Sequence, residues 1–153
     1  MAAVFSTISM QWPLAFAEIA EVLQSVTEGI ALTVHHIGST SVPGPGAKDI
    51  IDIDIELPEA GAFDAVVAAL ATIGYTHVGD YGIPLRDAFK RRNPEVDHPV
   101  LDRINHHLYV CPSHSPELKR HLAFRDRLRE HAWAREEYEG IKQEIASIAK
   151  QDK

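Results

Sequence analysis

The chain has 153 residues, 45% apolar and 24% charged, the ordinary balance for one domain, residues 1–153, with a buried core. Fifteen Lys and Arg against 22 Asp and Glu leave a formal net charge of −7, which repels a polyanion and argues against a nucleic acid polymer as partner. Cys111 stands alone and cannot close an internal disulfide, the apolar opening stretch lacks a basic region, and no segment reaches the length of a membrane span, so a cytoplasmic protein with no membrane partner is expected.

In chain order, residues 12–29 place Phe16, Ile19, Ala20, Leu23 and Val26 at helical spacing, with Gly29 as the stop. Residues 31–37 read as a strand, 38–48 as a turn, and 49–57 as a second strand. Pro58 begins a helix of small residues that Gly74 closes. Tyr75 to Val78 and Asp87 to Arg92 are short strands, with GDYGIP and NPEVDHPVLD as loops between and after them. INHHLYVC, 104–111, is another strand. Ser115-Pro116-Glu117 starts a helix for stated reasons: the serine caps free N–H groups, proline fits the first turn, and glutamate suits the positive end of the dipole. That helix runs to about His131, and a charged helix over 133–150 follows. The order predicts one sheet with helices packed on it.

The densest chemistry lies in HHIGSTSVPGPGAKDIIDIDIEL, residues 35–57. On a strand Asp52 and Asp54 point the same way, about 7 Å apart at Cα, while Ile51, Ile53 and Ile55 point into the core. Two ionised carboxylates that close repel, and a bound cation such as Mg²⁺ relieves the repulsion. The turn's glycines let backbone N–H groups converge on an anion, and Ser39, Thr40 and Ser41 add hydroxyl donors. Metal beside an anion-binding turn is the apparatus of phosphoryl or nucleotidyl transfer. Taken singly, each piece is more often a half-exposed strand with its acids in water or a tight loop without a ligand; it is the combination that points to a site.

Other residues carry two readings each. His36 and His107 facing Asp52 would suit Zn²⁺ or Mn²⁺; the alternative is hydrogen-bonded strand histidines. Leu118, His121, Leu122, Arg125 and Leu128 form one stripe, and a guanidinium in it needs either an acid such as Asp52 or Glu56 or a phosphate. Lys48 either reaches a phosphate across the turn or is a surface lysine. Lys90 and Arg92 share a strand face. Arg127 and Arg129 read as solvated, Trp12 and Trp133 as packing anchors, and Cys111 as structural.

Gly38-Ser39 closing a strand, followed by Asp52-x-Asp54 on the next, resembles the signature of the DNA polymerase beta-like nucleotidyltransferase superfamily. More closely, WPLAFAEIA, HIGSTSVPG, AKDIIDIDIEL, NHHLYVC and SPELKRHLAFRDRLREH resemble the GrpB family, small bacterial proteins that occur alone or fused to dephospho-CoA kinase. The resemblance implies an α+β, nucleotidyltransferase-like fold: one mixed, mostly antiparallel sheet packed against helices. It implies Ser39 on a nucleotide's phosphates and Mg²⁺ on Asp52 and Asp54; Mn²⁺ or Zn²⁺ belongs to the histidine reading above. Such enzymes add a third carboxylate from a later strand, whereas 105–110 here holds no acid; His107 or Asp102 is the substitute. The candidate catalytic residues are thus Asp52, Asp54 and His107. The candidate phosphate-binding residues are Gly38, Ser39, Thr40, Ser41, Lys48 and Arg125. The expected ligand is a nucleotide or phosphate metabolite, and transfer of a nucleotidyl group to a small acceptor is the reaction implied. The rival is a non-catalytic regulatory or folding-partner module, with a coenzyme A pathway kinase as partner.

Overall fold

In the computed structural model the described residues are 2–41, 50–92 and 95–130, so Lys48, Trp133 and the helix expected over 133–150 lie outside them. Helix α1 covers Ala2–Val26 and strand β1 Thr33–Ile37, followed by a 3₁₀ turn at Ser39–Ser41. Strand β2 is Ile51–Leu57; a second 3₁₀ turn, Ala60–Ala62, leads into α2, Phe63–Ala71. Strands β3 (Tyr75–Gly79), β4 (Asp87–Arg91) and β5 (His106–Pro112) precede α3, Pro116–Glu130. The strand expectations hold to within two residues.

Two helices differ from the sequence reading. Helix α1 begins at Ala2 and carries Pro13 in its interior, where the spacing argument placed a boundary. A proline there removes one backbone hydrogen bond and costs about 3 kcal/mol, which bends or weakens a helix but need not end one that is long on both sides. Helix α2 starts at Phe63 rather than Pro58, because a 3₁₀ turn takes up the residues between. Helix α3 begins as its cap requires: the Leu118 N–H donates to Ser115 Oγ at 3.3 Å.

The five strands form one sheet in the order β1-β2-β5-β4-β3. β2 and β5 run parallel at its centre; every other pair is antiparallel, and β3 shifts register against β4 between His77 and Gly79. This is an α+β architecture with a mixed sheet. One face is the core: Ile51, Ile53, Ile55 and Leu57 meet Ile19 and Leu23 of α1 and Val66 and Leu70 of α2, all essentially inaccessible. Trp12 is buried at the same side. Period-two alternation then forces every other residue of β2 and β5 onto the opposite face, which carries the polar groups. Among the described residues no helix is long and apolar enough to cross a membrane.

Candidate functional site

The polar face is read from the ladder. Asp52 stands opposite His107, and Asp54 opposite Tyr109 on β5 and His35 on β1. Ala88 of β4 lies beyond Tyr109. The two aspartates therefore sit at the middle of the sheet, with aromatic and imidazole side chains on the neighbouring strands.

They differ in surroundings. Asp52 is part-exposed, its Oδ1 3.0 Å from His107 Nδ1. Burial raises its carboxyl above the ordinary carboxylate range, His107 pulls it back, and Asp54 pushes it up again. Asp54 is completely buried, and His121 Nδ1 of α3 donates to its Oδ2 at 2.8 Å. That contact raises the His121 pKa, against the opposing effect of burial. The second oxygen, Asp54 Oδ1, is buried and has no hydrogen-bond partner among the described residues. Glu56, next on the same row, lies 2.8 Å from His35 Nε2, and hydrogen bonds from Ser113 and His35 hold its carboxyl low.

Gly38 joins this centre to the turn. Its φ of +75° is left-handed, and a Cβ there would stand 2.3 Å from Asp52 Oδ2. Only glycine lets the chain turn this close to the carboxylate. Beyond it the hydroxyls are engaged: Thr40 Oγ1 is 2.8 Å from His36 Nε2, and Ser41 Oγ donates to the Gly38 carbonyl at 2.6 Å. Ser39 begins the 3₁₀ turn. Arg125 of α3 donates to the His36 carbonyl at 3.3 Å and pairs with Asp126 at 2.8 Å, so its acid is neither Asp52 nor Glu56. Arg129, read as solvated, instead donates to the Ser41 carbonyl at 2.8 Å. Two arginines from one helix thereby hold the end of β1 and the turn that follows it.

His36 does not face Asp52. It pairs with Ile53 on the core side, stacks on Phe16 at 4.6 Å, and burial with two nearby arginines lowers its pKa to about 4. The misplacement follows from parity: Ile37, not His36, is opposite Asp52. Asp102, the suggested substitute acid, pairs with Arg91 at 2.5 Å and accepts from the His98 N–H at 2.7 Å. Cys111 is buried, which pushes its thiol up to about 12.

Sequence reasoning gave no role to Arg86 and none at the acids to His121. Arg86 lies over the Tyr109 ring, Cζ 4.3 Å from the centroid, with a buried Nε that has no hydrogen-bond partner among the described residues. The signal for His121 was its place on the α3 stripe; for Arg86 there was none, since it ends a loop.

An unpartnered carboxylate oxygen is the kind of atom a cation or a water satisfies. Among the described residues no group of three or more His, Cys, Asp or Glu side chains could hold a metal by itself. A cation here would complete its shell with water and ligand oxygens, which is the habit of Mg²⁺ rather than Zn²⁺.

Known proteins give the context. A UPF0157 protein, YqkA, of Bacillus subtilis is 34% identical over 137 residues, covering 90% of this chain and 38% of its own length. A UPF0157 protein of Halalkalibacterium halodurans is 36% identical over 139 residues, 89% of this chain and 65% of that one, so the chain spans well under the full length of both relatives. A dephospho-CoA kinase of Mycolicibacterium paratuberculosis is 38% identical over 68 residues, 42% of this chain and 17% of the kinase. The crystal structure of conserved protein GrpB from Enterococcus faecalis superposes with a TM-score of 0.70 at 32% identity, covering 90% of this chain and 79% of that one. The sequence profile of the family described as GrpB protein matches residues 4–153, and the chain belongs to the GrpB family.

Proposed function

We propose that this GrpB domain has a nucleotidyltransferase-like fold and binds a nucleotide or related phosphate metabolite with Mg²⁺ on the polar face of its sheet. The observation that carries the reading is Asp54 Oδ1, buried and unpartnered among the described residues, beside the higher-pKa carboxyl of Asp52. Asp52 and Asp54 hold the cation, which supplies charge neutralisation for phosphate oxygens. The turn from Gly38 through Ser39, Thr40 and Ser41, with Lys48, holds phosphate, and Arg125 of α3 holds the end of β1 just before it. If the domain transfers a nucleotidyl group, the acceptor hydroxyl attacks the α-phosphorus, its proton passes to His107, and pyrophosphate leaves. His107 suits that task because Asp52 orients its ring from the adjacent strand. Calorimetry with a panel of nucleoside triphosphates and Mg²⁺ tests this. Binding that requires the metal and is lost in Asp52→Asn supports it; no binding by the native chain, or equal binding by the variant, overturns it.

A second reading is a regulatory or folding-partner module for a kinase of coenzyme A synthesis. The stretch shared with the mycobacterial dephospho-CoA kinase favours it. Titrating the chain against a purified dephospho-CoA kinase decides: a stoichiometric complex without nucleotide affinity selects the module, and no complex removes it.

A further inference from the structure

We infer that Arg86 and Lys90, which flank Ala88 at β4, form an anion subsite on this face for the phosphate or pyrophosphate group of a small-molecule ligand. The inference rests on the proposed phosphate-ligand reading and adds to it a basic row distinct from the turn at residues 38–41.

Ala88, Tyr109 and Asp54 lie in one line across β4, β5 and β2. With neighbouring strands about 4.8 Å apart, β4 stands about 10 Å from the acids. Lys90 shares Ala88's face by alternation, and Arg86 is placed there by its stacking on Tyr109. The face therefore has an acidic row on β2 and a basic pair at β4, with His107 and Tyr109 between them.

Arg86 is prepared for an acceptor that none of the described residues provides. Stacking on Tyr109 fixes the flat side of the guanidinium, yet the buried Nε–H has no hydrogen-bond partner among the described residues. A buried donor without a partner is rare in a folded protein and calls for an explanation. Leu85, immediately before it, has φ of 62°, a left-handed conformation that costs a non-glycine residue energy and tends to occur where function requires it. Lys90 is exposed, its Nζ 5.5 Å from the Tyr81 ring, and the small, buried Ala88 lies between the two cations. A cleft of about 440 Å³ opens beside Lys90, with Tyr81, Ala88, His107 and the Arg86-stacked Tyr109 in its wall, while Arg86 itself stands outside the lining. That volume suits a small metabolite. Guanidinium against phosphate, reinforced by an ammonium, is the expected recognition chemistry.

The test is calorimetry of inorganic pyrophosphate and of ATP, each with EDTA and with Mg²⁺, on the full chain and on Arg86→Gln, Lys90→Gln, Asp52→Asn and Lys119→Gln. Lys119 is exposed on α3 and controls for net charge. Pyrophosphate is expected to bind in EDTA, about tenfold more weakly in Arg86→Gln and several-fold more weakly in Lys90→Gln, with Lys119→Gln unchanged. Lys90→Gln keeps the test decisive should Arg86→Gln fold poorly. Native affinity in a folded Arg86→Gln and in Lys90→Gln overturns the inference and identifies Arg86 as packing for Tyr109 alone. No pyrophosphate binding by the native chain, alongside Asp52-dependent binding of Mg²⁺ and ATP, also overturns it while the metal–nucleotide reading stands. Arg86-dependent pyrophosphate binding with Asp52→Asn unaffected under both conditions supports the subsite and removes the metal instead. Equal dependence for ATP and pyrophosphate shows that the phosphate group, and not the nucleoside, is what these cations hold.

Discussion

His121 of α3 and Asp54 of β2 are joined by a 2.8 Å hydrogen bond although 67 residues separate them in the chain. The contact ties a helix to the buried centre of the sheet and gives Asp54 the one hydrogen-bond partner its two oxygens have among the described residues. Removing one half of a buried charge pair leaves the other desolvated and uncompensated, at a cost of about 3 kcal/mol or more. His121→Leu is therefore expected to destabilise the fold by roughly that amount in urea titration. Adding Asp54→Leu should recover part of the loss, so the double-mutant cycle shows a coupling of about 1 kcal/mol or more.

Gly38 has a second, independent constraint, since both its φ and its distance from Asp52 exclude a side chain. Gly38→Ala adds a left-handed alanine, costing about 1–2 kcal/mol, and a methyl overlapping Asp52 Oδ2. The expected result is a loss of at least about 2 kcal/mol in stability. The His107 ring resonances should also move in NMR spectra, because Asp52 must leave its place.

Stability should fall on acidification through the His36 window. The folded protein holds this imidazole neutral, with a pKa of about 4 against the usual 6.5, so the unfolded chain binds the extra proton first. The stabilisation is present above 6.5 and is lost as pH falls from there to about 4, a loss of about 3 kcal/mol at the lower end. His121 has the opposite sign: its pKa is raised, and its contribution is full below 6.5 and fades as pH rises through the folded value. Urea midpoints from pH 4 to 8 should show the acid-side slope flattened in His36→Gln and the alkaline-side slope flattened in His121→Gln.

Cys111 should be inert in the native state. Burial holds the thiol at about 12, leaving almost no thiolate near neutrality. Iodoacetamide at pH 8 is expected to label it only after denaturant is added, at the rate of global unfolding, as followed by mass spectrometry.

The strands were legible in the sequence because alternation and burial agree in them; IDIDIEL puts its isoleucines in the core and its acids on the other face as the pattern requires. The cap at Ser115 was legible for a similar reason, since one side chain and one turn fix it. Pairing between distant segments was not. His36 misleads because adjacent histidines on a strand look equivalent until the register against β2 is known, and one residue of offset reverses their faces. Arg129 gave no sign of bracing the turn, because what it touches is a backbone carbonyl 88 residues earlier. Arg86 becomes visible only when the ring beneath it is placed. The first helix was read from residue 12, beside Pro13, although α1 starts at Ala2 and runs through that proline.

The parallel union of β2 and β5 has a consequence for the order in which the molecule takes shape. Asp52 meets His107, 55 positions further along the chain, so a nascent chain on the ribosome holds both aspartates long before their imidazole neighbour emerges. The cluster comes into being only when the last strand slots between two already made, and it shares the cooperative fate of the sheet's middle. Amide protons at 52–54 and 107–109 should then exchange only as the whole molecule opens.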